Sequence, residues 1–469
     1  MPKITLLGAG SGFTQPLFTD ILNIEGLDEG VIGLVDPDKS RLDINIKLLN
    51  RLLEIMGKDG WSIEASTDRE EILPGSDYVI STIEVAGVEC VESSQKIPEK
   101  YGIDQCIGDT IGPGGIMKAL RTVPVFIDIL KDAERLCPQA VTMNYTNPMS
   151  ILSLAAVESV GLSYVGLCHS VQGSSRGLAR MADVPNEELK WKCGGLNHLA
   201  WFTEAKWKGE DVYPRILANF ADQEIVESDP TRFDMIRQLG YYVTESSGHF
   251  SEYVPWYRKD EDIRERYLRD RYLGESGFYA RDWPQWRKDT DQKRRDMAEG
   301  KMDIPTKRGH EYASDIIEAH HFDRKKTIHA SVKNTGLIPN LPQNNVVEVE
   351  ILVDKTGYTP TYFGDLPEQC AALCRSHAAV YRLTVDGILN EDREAIMRAM
   401  MLDPLSAAVS CPADIRKMTE ELFEAQKDYI PEFCMKKPAP IQKRQMSSEK
   451  EQKDGAEEVS SMAARNVKE

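Results

Sequence analysis

Long apolar runs and an excess of basic residues are both missing from this chain of 469 residues. No apolar stretch approaches the roughly 20 residues that a membrane-spanning helix requires. Acidic residues outnumber basic residues by 75 to 57, and the formal net charge of −18 disfavours binding to nucleic acid or to an anionic membrane surface. We therefore expect a small-molecule partner, with no nucleic acid and no membrane involved.

The chain also lacks the signs of a secreted protein. Its 9 cysteines are an odd number, scattered along the sequence rather than spaced as a disulfide framework. Residues 1–7 begin directly with a strand pattern, and they contain neither a basic region nor a cleavage site. These absences predict a cytoplasmic protein. A hydrophobic content of 41% with 28% charged residues is typical of a globular fold.

Strand and helix patterns alternate over the first part of the chain. A helix is predicted over residues 16–23, and strands are predicted over residues 3–7, 31–35, 78–82, 140–144 and 164–167. Such alternation is typical of an α/β protein with a Rossmann-like, doubly wound parallel sheet. In a sheet of this kind, the carboxyl ends of the strands face the ligand crevice, so residues that follow a strand are candidate site residues.

After residue 198 the alternation becomes less regular. Residues 261–295 are dense in charge and aromatic side chains and predict one or more long helices or a cover segment. Residues 346–353 alternate apolar and acidic side chains, which predicts a strand with one wet face, and residues 365–402 predict helix. We predict three parts: an NAD-binding domain (1–195), a mixed α/β domain for substrate, metal and oligomerisation (196–435) and a disordered tail (436–469).

A glycine-rich loop follows the first strand, but it departs from the usual dinucleotide fingerprint. The third glycine of that fingerprint is replaced by Phe13, with Gly12 one place earlier, so the loop alone is a weak signal. Asp36 ends the second strand, where a carboxylate holds the adenosine ribose and favours NAD over NADP. A plain turn without a ligand is the alternative. The candidate cofactor-binding residues are Gly8, Gly10, Ser11, Gly12, Phe13, Asp36, Thr82 and Glu84.

Cys168 and His198 are candidate metal ligands. Cys168 follows a strand of the predicted sheet, and His198 lies 30 positions further along the chain. One thiolate and one imidazole leave coordination positions open, as at a site where the metal binds substrate. An octahedral ion such as Mn²⁺ fits this arrangement. Taken alone, each residue is more often a packed or hydrogen-bonded core residue.

Three further motifs carry groups suited to catalysis or sugar binding. Asp109 leads a glycine-rich loop, and Asn147 follows a strand in an Asn-Pro sequence. The segment that contains His249 and Tyr253 is rich in groups that act as acid or base. The structural alternatives are a helix cap for Asp109, a turn for Asn147 and an aromatic core strip for the third motif.

At these residues the chain closely resembles glycoside hydrolase family 4, the NAD- and Mn²⁺-dependent glycosidases. The resemblance runs from about residue 3 to about residue 435. The four residues from Cys168 are similar to those of the α-galactosidase branch, with α-galacturonidases nearby. The motifs that carry the resemblance are Gly8-Ala9-Gly10-Ser11, Gly112-Pro113-Gly114-Gly115, Asn144 to Pro148, Cys168-His169-Ser170-Val171 and Asn197-His198.

The resemblance implies a redox-assisted hydrolysis of an α-galactoside. NAD⁺ takes hydride from the sugar C3, a base removes the C2 proton beside the metal, the C1 substituent leaves, and the hydride returns after water addition. Tyr253 is the implied base, with His249 as the second candidate. Asp109 assists the leaving group or holds a sugar hydroxyl. Asn147 and His169 contact sugar hydroxyls, and Cys168 and His198 hold Mn²⁺ or another divalent ion.

Three alternatives remain open in the sequence. An α-galacturonidase with the same mechanism needs a cation at C6, and Arg121, Arg176 and Arg308 are among the available arginines. An NAD-dependent hydroxy-acid dehydrogenase of the lactate/malate type shares the fold, but it leaves Cys168 and His198 without a role. A non-enzymatic sugar or nucleotide sensor is the third alternative. The family resemblance also implies a homodimer or homotetramer.

Overall fold

A computed structural model of the chain describes residues 1–436. Residues 1–435 form one unit. The tail that the sequence predicts to be disordered begins at residue 436, so nearly all of it lies outside the described residues. Within residues 1–436, no helix is both long enough and apolar enough to cross a membrane.

Thirteen strands join in a single sheet. Along the main path their order is β10-β8-β7-β12-β11-β6-β5-β4-β1-β2-β3, while β13 pairs with β12 and β9 pairs with β8. The strands are β1 (Lys3–Leu7), β2 (Glu29–Val35), β3 (Gly60–Ser66), β4 (Tyr78–Ser81), β5 (Val141–Asn144), β6 (Ser163–Gly166), β7 (Leu189–Leu196), β8 (Leu199–Trp207), β9 (Glu210–Asp211), β10 (Tyr242–Val243), β11 (Lys326–Lys333), β12 (Val346–Asp354) and β13 (Gly357–Pro360).

Helices cover the sheet and connect its strands. They are α1 (Thr14–Leu22), α2 (Lys39–Met56), α3 (Arg69–Ile72), α4 (Gly87–Glu99), α5 (Gly112–Leu136), α6 (Met149–Ser159), α7 (Ser170–Met181), α8 (Tyr213–Ala218), α9 (Gln223–Glu227), α10 (Pro230–Leu239), α11 (Ser247–Tyr253), α12 (Glu261–Tyr267), α13 (Phe278–Ala298), α14 (Tyr312–Phe322), α15 (Glu368–Leu389), α16 (Arg393–Leu402), α17 (Pro404–Val409) and α18 (Pro412–Ala425).

Local signals explain where these elements begin and end. The Asp38 carboxylate accepts hydrogen bonds from the backbone N–H groups of Ser40 and Arg41 and so caps α2. Gly57 ends the same helix with φ of +63°, a left-handed conformation that favours glycine. The buried side chains of β1, such as Ile4 and Leu6, pack into the main hydrophobic core beneath these helices.

Strands β1 to β6 confirm the predicted doubly wound parallel sheet. They are parallel and lie in the order β3-β2-β1-β4-β5-β6, as in dinucleotide-binding folds. The five strands predicted in this region are all present, with bounds shifted by at most two residues. The predicted helix over 16–23 is α1, which begins two residues earlier. This part of the fold could therefore be predicted from hydrophobic pattern and turn chemistry.

The second half of the chain extends the same sheet with antiparallel strands. β11 pairs with β6, and β12, β7, β8 and β10 follow it outward. The predicted boundary between residues 195 and 196 falls at the end of β7, next to the tight turn into β8. The division into two domains stays a prediction. Residues 261–295 contain α12 and most of α13, and residues 365–402 contain all of α15 and α16.

The predicted wet face of β12 is wrong at one position. Glu350 is exposed as expected, but Glu348, on the same face, is fully buried. β12 is an internal strand that lies between β11 and β7, and Glu348 is opposite Gly195 of β7. The turn after β7 therefore covers Glu348, whereas Glu350 lies beyond it.

Candidate functional site

The carboxyl ends of the parallel strands bring the sequence motifs to one crevice. The glycine loop follows β1, Asp36 follows β2, Thr82 follows β4 and Asn147 follows β5. Cys168 comes two residues after β6. A cavity of about 1060 Å³ lies along these strand ends. All eight predicted cofactor-binding residues line it, and so do Asp109 and Asn147.

The glycine loop is packed closely against its neighbours. Gly8 has φ of +83°, and a Cβ at this position would lie 2.8 Å from the backbone of Thr82. The Gly10 N–H donates to Asp36 Oδ2 at 2.7 Å, which links the loop to the end of β2. Phe13 stands where a third glycine is usual, and it is partly exposed beside Tyr145. The loop therefore keeps the close approach of backbone to ligand that a bound phosphate requires.

Cys168, His198 and Glu245 form a cluster of three metal-ligand side chains. The Cys168 Sγ lies 3.3 Å from His198 Nε2, and Glu245 Oε1 lies 3.6 Å from the same nitrogen. One ligand atom from each residue lies within 4.8 Å of the other two. Spacings of this size suit a thiolate, an imidazole and a carboxylate around one divalent ion. The sequence analysis identified the first two residues and missed Glu245.

The backbone holds the imidazole of His198 in place. His198 lies in the tight turn between β7 and β8 with φ of +65°, a conformation that is uncommon for residues other than glycine. Strain of this kind often accumulates at functional sites, where the surrounding fold over-determines it. Glu245 reaches the imidazole from the segment between β10 and α11.

The charges of this cluster support one another. Burial alone would raise the pKa of the Cys168 thiol, but the adjacent His198 imidazolium outweighs burial and lowers that pKa. Burial alone would lower the pKa of His198, but the Glu245 carboxylate and the thiolate raise it. Without an ion, both shifts favour a thiolate paired with an imidazolium. Binding of a divalent ion would displace the proton on the imidazole nitrogen that faces it.

Tyr253 and His249 continue this network on the other side of the imidazole. The Tyr253 hydroxyl lies 3.2 Å from His198 Nδ1 and 2.8 Å from His249 Nδ1. Both residues lie on α11, one helical turn apart, so they face the same direction. Burial raises the pKa of the Tyr253 phenol well above its usual value and lowers the pKa of His249. Both shifts favour the neutral forms, so the His249 imidazole is able to accept a hydrogen bond from the phenol.

Asp109 is held as a carboxylate. Burial alone would raise its pKa, but the Lys118 ammonium, 3.5 Å away, lowers it to about 2. Lys118 also pairs with Glu84 at 3.1 Å, so one buried lysine ties together two predicted site residues. An ionised Asp109 accepts hydrogen bonds from hydroxyls and does not donate a proton at neutral pH. Its environment favours the predicted sugar-holding role over the role in leaving-group departure.

His169 is placed at the edge of the crevice beside the glycine loop. Its ring stacks on Tyr145 with centroids 5.7 Å apart and on Phe13 at 6.0 Å. His169 Nε2 lies 2.8 Å from Glu311 Oε2, and this hydrogen bond raises the pKa of His169. The hydrogen bond to Glu311 and the ring contacts fix the orientation of the partly exposed His169 imidazole, which can therefore contact a ligand in a defined geometry.

Four acidic or basic residues of this region were missed by sequence reasoning. Glu245 lies four residues before His249, and Lys118 lies nine residues after Asp109, so proximity in sequence to a motif could have indicated both. Glu311 lies 142 positions from His169 and has no local signal. The fourth is Glu348, whose alternating pattern indicated a solvated face.

Glu348 lies beneath the turn that carries His198. The Asn197 Nδ2 donates to Glu348 Oε1 at 3.4 Å, while Glu348 Oε2 has no hydrogen-bond partner among the described residues. Burial, and after it the Cys168 thiolate, raise the pKa of the Glu348 carboxyl to about 8. The folded protein therefore holds a proton on Glu348 at neutral pH, whereas the unfolded chain does not.

We expect Glu348→Gln to become more stabilising relative to wild type as pH rises. Because the folded-state pKa is above the unfolded value, wild type loses stability between about pH 4.5 and pH 8. Glutamine mimics the protonated acid and avoids this loss, which amounts to about 1.4 kcal/mol for each pKa unit. Urea unfolding at pH 5.5 and 8.5, with a chelator present, measures the difference.

Glu350→Gln is the matched control for this prediction. Glu350 lies two residues along the same strand and is exposed, so its substitution should leave the pH dependence of unfolding unchanged. If the Glu348→Gln variant gains no more stability at pH 8.5 than at pH 5.5, the protonated state of Glu348 is wrong.

Family models match most of the chain. Residues 3–184 match the family 4 glycosyl hydrolase model, and residues 193–406 match the C-terminal domain of the same family. The protein that carries this crevice and the cluster of a thiol, an imidazole and a carboxylate is therefore a glycoside hydrolase. The chain belongs to family 4 of the glycosyl hydrolases, which confirms the resemblance found in the sequence.

Curated relatives agree with this assignment over nearly the whole length. An α-galactosidase of Rhizobium meliloti is 36% identical, with 92% of this chain and 90% of the relative covered. An α-galactosidase of Bacillus subtilis is 37% identical over 92% of this chain and all of the relative. An α-galacturonidase of Lachnoclostridium phytofermentans is 27% identical, with coverage of 92% and 97%.

Solved structures share the fold. A Bacillus subtilis protein has a TM-score of 0.81 at 25% identity, covering 90% of this chain and 99% of its own. A 6-phospho-β-glucosidase of Thermotoga maritima, solved with manganese, NAD⁺ and glucose-6-phosphate, has a TM-score of 0.75 at 23% identity, with coverage of 91% and 99%. A malate dehydrogenase of Cryptosporidium parvum has a TM-score of 0.50 at 16% identity, with coverage of 83% and 99%. The predicted lactate/malate dehydrogenase-like fold is confirmed.

Proposed function

We propose that this glycoside hydrolase cleaves α-galactosides with the help of NAD⁺ and Mn²⁺ or another divalent ion. The observation that carries the proposal is the placement of His198 between two groups. Its Nε2 faces Cys168 and Glu245, and its Nδ1 faces the Tyr253 hydroxyl. A metal site and a candidate base thus share one imidazole beside a dinucleotide-type crevice.

The residues present fit both cofactors. Cys168, His198 and Glu245 would hold the metal ion, and their three donor types leave coordination positions for substrate. The glycine loop and Asp36 would hold the dinucleotide along the large cavity. When bound, NAD⁺ accepts and returns a hydride, and the divalent ion supplies Lewis acidity next to the sugar hydroxyls.

The protein's own groups would move the protons. A histidine that binds a metal through Nε2 carries its proton on Nδ1, so His198 would donate a hydrogen bond to the Tyr253 oxygen. The phenol proton then points to His249 Nδ1, 2.8 Å away. Burial opposes ionisation of the phenol, so the positive charge of a bound divalent ion beside His198 would have to favour transfer of that proton to His249, which would leave a tyrosinate able to take the proton from the sugar C2. Asp109 and Asn147, which both line the cavity, would accept or donate hydrogen bonds to sugar hydroxyls.

The arginines of the chain favour a galactoside over a galacturonide. A uronide needs a cation free to face its C6 carboxylate. Arg121 is buried, and its guanidinium is bound to Gln426 and to the Val85 carbonyl. Arg308 pairs with Asp315 and Glu318. Two of the three arginines considered in the sequence are therefore already engaged.

α-Galacturonidase activity is the second candidate. It is favoured by the exposed Arg176, which lines a smaller cavity of about 290 Å³ together with Arg308 and His310. The relative at 27% identity carries that activity, whereas the two relatives at 36% and 37% are α-galactosidases. Family membership argues against the dehydrogenase and the sensor. The cytoplasmic location and the homodimer or homotetramer stay predictions.

The substrate is tested with matched aryl α-galactoside and aryl α-galacturonide in the presence of NAD⁺, Mn²⁺ and a reductant. We expect kcat/KM for the galactoside to be at least about tenfold higher, a difference of roughly 1.4 kcal/mol in transition-state binding. Activity should disappear when NAD⁺ or the metal is left out. NADH should not accumulate, because the hydride returns to the sugar within each turnover.

Each contrary result has a distinct meaning. Faster cleavage of the galacturonide would make Arg176 and its neighbours the determinants of specificity. Accumulation of one NADH for each molecule of substrate would identify a dehydrogenase and overturn the proposed hydrolysis. Full activity after exhaustive chelation would overturn the metal site.

A further inference from the structure

Helix α13 lies along the large cavity, opposite the strand ends. The cavity is lined on one side by the glycine loop and on the other by α13 side chains between Tyr279 and Asp291. The thirteen residues from Tyr279 to Asp291 span about 18 Å of helix, so one helix face follows much of the crevice. A Cβ at Gly12 would lie 2.9 Å from Thr290 Cγ2, which shows how closely α13 approaches the loop. The catalytic cluster makes no use of this helix.

Two arginines attach α13 to the nucleotide-binding half of the fold. The Arg294 Nη1 donates to the carbonyl oxygens of Gly10 at 2.7 Å and Ser11 at 3.2 Å, and Arg294 is only 2% exposed. Arg41 of α2 pairs with Asp291 at 3.1 Å. A buried guanidinium bound to loop carbonyls holds the helix in register with the loop.

Arg287, the cation of α13 that lines this cavity, has no carboxylate partner among the residues that the structure describes. Four cationic side chains line the cavity: Arg41, Arg69, Lys118 and Arg287. Each of the first three pairs with at least one carboxylate. Within residues 1–436 no carboxylate pairs with the half-buried Arg287. An unpaired guanidinium in a partly enclosed cavity is a ready partner for an anionic ligand.

We propose that Arg287 binds the pyrophosphate of the dinucleotide and that α13 covers the cofactor, so that it stays bound between turnovers. This inference rests on the proposed function, in which NAD⁺ is regenerated and has no need to leave. The planar guanidinium forms paired hydrogen bonds with phosphate oxygens. Trp283 and Trp286 line the same cavity and shield the bound dinucleotide from solvent.

The test measures cofactor binding by the full chain without any turnover. Energy transfer from tryptophan to NADH reports occupancy, because Trp283 and Trp286 line the cavity. A chase with excess NAD⁺ gives the dissociation rate. We expect Arg287→Ala to weaken NADH binding about tenfold to hundredfold and to speed its dissociation by a similar factor. Arg287→Lys should retain part of the affinity, because it keeps the charge and loses the paired geometry.

Lys288→Ala is the matched control. Lys288 is the next residue of α13, carries the same charge and is exposed outside the cavity, so its loss should change NADH binding less than twofold. ADP and adenosine separate the phosphate contact from a general disturbance of the site. Arg287→Ala should weaken ADP binding and leave adenosine binding unchanged.

Two results would overturn the inference. One is wild-type affinity for NADH and ADP in Arg287→Ala, and the other is an equal loss for ADP and adenosine. If wild type itself binds neither NAD⁺ nor NADH, the proposed function fails first. Failure of the proposed function is thus distinguished from failure of the role of Arg287.

Discussion

The Cys168→Ser variant is expected to fold normally and to lose its metal-dependent activity. The thiolate is one of the three protein ligands of the proposed metal site, with His198 and Glu245, and a neutral serine hydroxyl is a much poorer metal ligand. We expect Mn²⁺ binding to weaken at least about a hundredfold. The rate of glycoside cleavage should fall about a thousandfold or more, since the ion supplies several kcal/mol of transition-state stabilisation. Calorimetry with Mn²⁺ alone and an aryl-glycoside assay measure the two losses.

Cys411→Ser is the control for this variant. Cys411 is exposed, so its replacement should change neither metal binding nor activity. Circular dichroism and thermal unfolding establish that both variants keep the fold. A Cys168→Ser enzyme that remains active and resists chelators would remove Cys168 from the metal site.

Sequence pattern was sufficient for five of the six parallel strands and for the placement of the motifs that follow them, whereas β3 was not predicted. Short buried strands such as β1 and β5 are bounded by glycine or asparagine, and polar residues follow them directly. The carboxyl ends of parallel strands meet at the same edge of a sheet. The loop after β1, Asn147 and Cys168 therefore had to lie at that edge. Their common crevice follows from topology, without any knowledge of side-chain contacts.

The residues that complete the site were beyond such reasoning because they arrive through antiparallel strands and irregular segments. Glu245 reaches His198 from the segment after β10, and Glu311 reaches His169 from the residue before α14. No periodicity specifies these pairings, since they depend on how β7, β8 and β10 extend the sheet. Glu348 is a second residue whose position depends on the antiparallel strands. Its alternating pattern predicts exposure, and only the pairing of β12 with β7 buries it.

The Asp109 environment sharpens the chemistry that the resemblance implied. Lys118 is bound to both Glu84 and Asp109, so one ammonium group links these two carboxylates and holds Asp109 ionised. The acid–base work then falls on the other side of the site, where Tyr253, His249 and His198 share hydrogen bonds. The ionised Asp109 is therefore assigned to sugar binding, and the group around Tyr253 is assigned to proton transfer.

Tyr253→Phe is expected to abolish exchange of the sugar C2 proton with solvent. The substitution removes only the hydroxyl that lies between the two imidazoles, so the metal cluster on the far side of His198 should keep its ion. Loss of general base catalysis should lower kcat about 10²- to 10⁴-fold, with KM little changed. Incubation of substrate with enzyme in deuterated water, followed by NMR of the recovered sugar and product, measures the exchange directly.

His249→Gln and Tyr257→Phe test how far this assignment is specific. His249 accepts the phenol proton in the proposed network, so its loss should slow exchange less than the loss of Tyr253 and shift the pH profile. Tyr257 lies four residues after Tyr253, beyond the end of α11, and its hydroxyl donates to Asp234 at 2.8 Å. Tyr257→Phe removes an equally buried hydroxyl outside the site and should leave exchange intact. If exchange persists in Tyr253→Phe and disappears in His249→Gln, the base is His249. In Tyr253→Phe there is no phenol proton for His249 to accept, so exchange in that variant would require His249 itself to remove the C2 proton.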